Sequence, residues 1–382
     1  MSDEPFGDVP LFREIQKLLS AGHGPVNLEI ARQVGTAVAG GGSPSTRTDP
    51  TRAAALGAAV RAAEPVIAGY TRIPLTEPAR VALVTRPEWV QTSLAGWRWL
   101  LDALATHLAN QLQRSVQHEA DEAAGGMGAI LGQVTPLLLG MQAGTLLGHL
   151  ARESLGRYDP WLPRADDLRL FFVPHNIDEV LDEYSIDAAI FTSWLAGRDT
   201  ARHHLATNVG WIDRYFRGLL EAVIDALEID PGDLERKLME LQSEGMGDLQ
   251  RGIAPHDLLP LVPTDRHRTA SARLTAFVAL LEGYAAHSWH AVSDQMLGAT
   301  AMVDEAMARR DLAPHEGEAI LFGLLGISPE PGLDSAATTF CKALVELHGM
   351  SALNRVWEAP DNLPSIAELR DPFQWIERVL AA

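Results

Sequence analysis

Residues Phe191 to Trp211 read FTSWLAGRDTARHHLATNVGW, and the fold and chemistry of the chain turn on how this stretch is read. Arg198 and Arg202 are four residues apart. On a helix they share one face, where two guanidinium groups repel each other unless acidic partners stand close. Asp199 lies at i, i+3 from Arg202, a spacing that permits a local ion pair. A guanidinium keeps its proton at physiological pH and has no lone pair to give a metal. His203 and His204 follow at once, but neighbours on a helix point about 100 degrees apart and do not readily share one metal. Trp194 and Trp211 read as core anchors.

Upstream, LRLFFVP (Leu168 to Pro174) reads as extended, as does RVALVT (Arg80 to Thr85). Elsewhere the 3.6-residue period dominates, as in Leu11 to Leu19, Ala53 to Ile67, Trp97 to Leu112, Ile212 to Leu227 and Leu274 to Met296. Three Pro/Gly-rich stretches interrupt it: AGGGSPSTRTDP (residues 39–50, a flexible loop by composition), Asp159 to Asp167, and GISPEPGLD (Gly326 to Asp334). Within LGRYDP, Tyr158 and Asp159 read as a turn with a buried ring and no catalytic role. The closing DPFQWIERVLAA reads as a short docked helix, with Asp371 as cap, Pro372 in the first turn, and Trp375 and Val379 on one face. The expected fold class is mainly α with a small β element. One chain of two halves is expected. Residues 1–165 form an N-terminal helical half that includes the loop at 39–50; residues 166–382 carry the arginine stretch and the C-terminal helices.

Residues Ala123 to Gly148 contain no Asp, Glu, Lys or Arg, a length that could span a bilayer. Gln133, Thr135, Pro136 and Gln142 dilute its hydropathy, and no basic cluster flanks it. It reads better as a central helix whose glycines at four-residue multiples (Gly128, Gly132, Gly140, Gly144, Gly148) let neighbouring backbones approach. The chain has 382 residues, 47% of them apolar, which is enough for a large core. Its formal charge of −19 sets it against nucleic-acid phosphates and anionic headgroups, so neither nucleic acid nor membrane is expected as a partner. The lone Cys341 can form neither an internal disulfide nor a Cys-based zinc knuckle. The acidic N-terminus lacks an apolar secretory core, so a cytoplasmic location is expected. GxSxG, P-loop and GxGxxG motifs are absent from the sequence. The acidic run Asp178, Glu179, Asp182, Glu183 and Asp187 reads as a solvated face, with a hard-cation site as the alternative.

Several segments, in this order and spacing, resemble one known family. They are PLFREIQKLLSAGHGPVNLEIARQV near the start, LGRYDPWLP (Leu155 to Pro163), PHNIDEVL, LLEGYAAHSWHAV (Leu280 to Val292) and VWEAPDNLPSIAELRDPFQWIERV near the end. The chain resembles the zincin-like metallohydrolases labelled as associated with coenzyme F420 biosynthesis. In that family the helix after the extended run carries HExxH. Its two His, at i and i+4, hold one zinc; its Glu acts as general base on the zinc-bound water; a later helix supplies a third ligand. Matched without gaps on Phe191, Trp194 and Trp211, the motif falls on RDTAR. Arg198 and Arg202 stand at the two His positions and Asp199 at the Glu. The later LEGH reads LEGY, which keeps Glu282 and places Tyr284 at the His.

The resemblance therefore implies a zincin-like metallopeptidase fold in which the familiar zinc site cannot form, and neither a metal nor another cofactor is expected. Arg198, Asp199, Arg202, Glu282 and Tyr284 are the candidate residues of a cleft between the helix around Arg198 to His204 and the helix around Leu280 to His290. The two arginines bring the same two positive charges as zinc and are expected to neutralise Asp199 and Glu282. The expected function is that of a catalytically inactive family member acting as a binding or scaffolding protein, with an unidentified protein or a small anion as partner. Two alternatives stay open. One is an active metallohydrolase with ligands relocated to His203, His204, His287, His290 and Glu282. The other is a small-anion binder that uses Arg198 and Arg202. For His287 and His290, at i, i+3, the residues favour a place bordering the helix surface over a metal.

Overall fold

Helix starts follow the capping chemistry written in the sequence. The computed structural model describes residues 24–40, 49–118, 124–165, 168–230, 261–262, 264–298 and 300–381. The helix expected at Leu11 to Leu19, most of the loop at 39–50, and residues 166–167 of the Asp159 to Asp167 stretch lie outside them. Asn27 caps α1 (Leu28–Val38), and Asp49 caps α2 (Pro50–Thr71), where Pro50 opens the first turn. Thr85 and Glu88 form a reciprocal capping box at the start of α3 (Arg86–Gly96). α4 (Arg98–His118) and α5 (Ala124–Glu153) follow. β1 (Val81–Leu83) pairs in parallel with β2 (Leu170–Phe172), in the register Val81↔Leu170 and Leu83↔Phe172. These strands are the cores of the two runs read as extended.

From Ala124 onward the charge-free stretch lies within α5. Its glycines meet α1 directly: a Cβ on Gly140 would lie 2.5 Å from the Asn27 carbonyl oxygen, and one on Gly144 would lie 2.6 Å from that of Ala31. The stretch is thus a packing seam against another helix of the same chain. Among the described residues no helix is long and apolar enough to cross a membrane.

α6 (Pro174–Tyr184) leads to α7 (Ala188–Asn208), and Asp187 caps α7 by accepting from the N–H groups of Ala189 and Ile190. α8 (Ile212–Asp225) then runs into β3 (Glu228–Ile229), which pairs antiparallel with β4 (Leu261–Val262) ahead of the long α9 (Asp265–Leu297). α10 (Ala301–Asp311), α11 (Glu316–Leu325) and α12 (Leu333–His348) follow. Short turns then lead to α13 (Met350–Leu353), α14 (Ile366–Arg370) and α15 (Pro372–Val379). α15 is built as its sequence suggests: Asp371 accepts from the Phe373 N–H, and Trp375 and Val379 are both buried.

α7 and α9 form the centre. α2 and α9 pack against α7, while α8 and α12 also pack against α9. From Trp194 to Leu205 nearly every residue of α7 is buried, including Asp199, Arg202, His203 and His204. A helix covered on all sides is ordinarily apolar. The polar groups on this one therefore need partners inside the protein, because a buried polar atom left unpaired costs roughly 1–3 kcal/mol.

Candidate functional site

Two close backbone approaches bring the charged groups together. Gly197 of α7 lies under the Trp289 ring of α9; a Cβ there would come within 2.1 Å of the indole. This lets α7 and α9 pack closely enough for Arg202 to reach Glu282. Gly156, on the loop after α5, lies against Asp199, and a Cβ on it would lie 2.4 Å from Asp199 Oδ2.

Arg202 is the hub. Its Nε and Nη2 donate to Glu282 Oε2 at 3.0 and 2.8 Å. Its Nη1 donates to Asp159 Oδ1 at 2.9 Å and to Asp199 Oδ1 at 3.3 Å. Arg198 completes the group: Nε donates to Asp199 Oδ1 at 3.0 Å, and Nη2 donates to both Asp159 oxygens at 3.2 and 3.3 Å. The Arg198 guanidinium also lies 5.3 Å from the centre of the Trp194 ring. Asp159 is itself held in place, since its Oδ2 accepts from the N–H groups of Leu155 and Gly156.

Three carboxylates thus enclose two guanidiniums, and one negative charge is left over. Burial would raise the Asp159 pKa, but Arg198 and Arg202 outweigh it and hold this carboxyl well below the usual range. Burial dominates at the other two carboxyls. Asp199 is raised by burial, against Arg198, and Glu282 is raised by burial, against Arg202. For Arg202, burial opposes the charge, yet Glu282, Asp159 and Asp199 together raise its pKa. The arrangement can carry its surplus charge or quench it with one proton on Asp199 or Glu282. Asp199 Oδ2 is buried and has no hydrogen-bond partner.

The other candidates point elsewhere. The Tyr284 hydroxyl donates to Asn354 Oδ1 at 2.7 Å, and its ring meets Trp357 edge-on; no contact joins it to the arginines. His203 Nδ1 pairs with the Tyr158 hydroxyl at 2.8 Å, and His204 Nε2 lies 3.3 Å from Thr71 Oγ1. His287 Nε2 pairs with the Tyr70 hydroxyl at 2.8 Å. His290 is half exposed and faces Asp304 at 3.4 Å. The four imidazoles are committed in four directions. Among the described residues no group of three or more His, Cys, Asp or Glu side chains is placed to hold a metal ion. A zinc ion does not fit the charged cluster either, since guanidinium donors stand between its carboxylates. In the acidic run, Asp178 pairs with Arg52, Glu179 with Arg86, and Asp187 caps α7.

Asp159 is the residue that the sequence reading left out. A carboxylate in the aromatic-rich turn LGRYDPW reads as turn chemistry alone. The available signal is arithmetic: two arginines facing into a cleft need more than Asp199 and Glu282 to satisfy their ten N–H donors.

No curated protein matches the chain. A crystal structure described as that of "a putative hydrolase with a novel fold", from Chloroflexus aurantiacus, is similar in fold, with a TM-score of 0.69. The two share 24% sequence identity over 94% of this chain and 99% of that one. The model of the zincin-like metallopeptidase family matches residues 26–376, nearly the whole length, and the chain belongs to that family.

Proposed function

We propose that this chain is a zincin-like protein that works without zinc: RDTAR stands where HExxH would be, and an internal ion cluster fills the place of the metal. The chain then acts as a single unit and as a non-catalytic binding or scaffolding protein, located in the cytoplasm. The observation that carries the reading is the bonding of Arg202, whose one guanidinium donates to Glu282, Asp159 and Asp199 together. A residue in that position ties α7 to α9 and to the loop after α5. It offers structure where a metallohydrolase needs an open coordination position.

The alternatives are weaker on the same geometry. An anion approaching Arg198 and Arg202 would have to displace three carboxylates from a group that already has a negative surplus. Relocated metal ligands would require His203, His204 and His287 to leave their hydroxyl partners. The test is metal analysis of the full chain purified without chelators. The expected result is no stoichiometric transition metal; stoichiometric zinc would overturn the proposal. A constructive arm combines Arg198→His, Asp199→Glu and Arg202→His. With Glu282 and Asp159 still in place, the folded triple variant is expected to gain zinc binding. A folded variant that takes up none would show that these residues do not stand at the HExxH positions or that Glu282 and Asp159 do not supply the third ligand.

A further inference from the structure

Away from the ion cluster, a concave groove of about 390 Å³ lies between α8 and the first turns of α9. The β3–β4 pair ties the end of α8 to the start of α9 beside it. Leu219, Ala222 and Ala270 supply its apolar lining, while Arg266, Thr269 and Arg273 line it from α9. Arg266, Thr269, Ala270 and Arg273 follow the i, i+3, i+4, i+7 pattern, so one helical face presents all four. Arg266 and Arg273 are exposed, and neither has a hydrogen bond or ion pair among the described residues. Asp265, the one acid in the lining, is already bonded to Arg268 at 2.5 Å.

The chain as a whole carries a formal charge of −19. Here two unmatched guanidiniums border an apolar recess whose volume falls in the range of about 300–1,000 Å³ typical of small-molecule sites. The remote negative charge is screened beyond roughly 8 Å at physiological ionic strength, so the local pair decides which ligand is attracted. An all-polar anion would leave the apolar lining wet; a neutral apolar molecule would leave the arginines unused.

We propose that this groove binds a small amphipathic anion, a carboxylate on an unbranched apolar chain, with the chain on Leu219, Ala222 and Ala270 and the carboxylate on Arg266 and Arg273. The site is independent of the ion cluster, and the proposal stands whether or not the chain is metal-free. Calorimetric titration of the full chain with decanoate tests it, alongside decanol and acetate as probes lacking the head and the tail. Decanoate is expected to bind saturably, and each truncated probe at least about tenfold more weakly. The double variant Arg266→Ala/Arg273→Ala changes two exposed side chains, so its thermal midpoint should match the parent, while its decanoate affinity should fall by at least about tenfold. Ala222→Leu, which fills the apolar lining without touching a charge, should weaken decanoate and leave acetate unchanged. Failure of decanoate to saturate, equal binding of decanol or acetate, or unchanged affinity in the arginine variant would each overturn the proposal.

Discussion

Replacing Arg202 with Ala should unfold a measurable fraction of the protein's stability. The variant removes four hydrogen bonds and the hub of the cluster, leaving Asp159, Asp199 and Glu282 with Arg198 alone. Breaking a buried ion pair by removing one partner costs about 3–5 kcal/mol, chiefly because the other charge stays buried and uncompensated. Asp199 is fully buried, but the side chains of Asp159 and Glu282 keep 21% and 25% of their exposure and can recruit water. The lower end applies, about 3 kcal/mol, against a total of about 5–15 kcal/mol for an ordinary domain. Arg202→Lys keeps the charge and loses the fork, so it should fall between, at about 1–2 kcal/mol. Urea unfolding at neutral pH, followed by tryptophan fluorescence, reads the change as a shift in midpoint at constant slope. A cycle with Glu282→Gln should return a coupling energy of about 1–3 kcal/mol. A loss under about 0.5 kcal/mol with no coupling would mean that Arg202 behaves as a solvated surface residue and that the cluster holds nothing together.

Acid should weaken the fold through its buried histidines. Burial lowers His203 and His287 to about 4, from an ordinary value near 6.5. Each therefore contributes stability that is full above about 6.5 and is lost as pH falls toward 4, roughly 3 kcal/mol per histidine. Asp199 and Glu282, raised by burial, act in the opposite sense, so the histidine part is isolated by repeating the stability–pH profile with His203→Gln, whose slope between pH 6.5 and 4 should be visibly shallower. At the α1–α5 seam, Gly144→Ala would place a Cβ 2.6 Å from the Ala31 carbonyl oxygen. Backbone cannot yield cheaply, and a loss of about 1–3 kcal/mol is expected by chemical denaturation; a neutral outcome would mean that the two helices are not in register there.

The sequence made the framework readable where local chemistry decides it. Asp49–Pro50, Asp187 and Asp371–Pro372 announce helix starts, and the charge-free glycine stretch announces a helix that must accept a close neighbour. The pairing of Asp199 with the arginines is local too, set by one turn of helix. The contact between Arg202 and Glu282 spans eighty residues and was legible only because the family resemblance placed both positions in one cleft. Asp159 was missed because a turn residue before proline has a sufficient local explanation, and nothing in its neighbourhood reveals what approaches it from α7. Tyr284 faces elsewhere for a related reason: it is two residues from Glu282, and positions two apart on a helix point about 200 degrees apart, so a motif position carries no information on where the ring points. The histidines have no visible partners in sequence because Tyr70 and Thr71 come from α2 and Tyr158 from the loop after α5.

The most direct measurement is X-ray diffraction from crystals grown with added zinc, with anomalous data collected at the zinc edge. The account predicts no anomalous density among Asp159, Asp199 and Glu282, with the Arg202 guanidinium still bonded to Glu282 at about the 2.8 Å found here. A zinc peak within coordination distance of Glu282 or Asp159, with Arg202 swung aside, would contradict it.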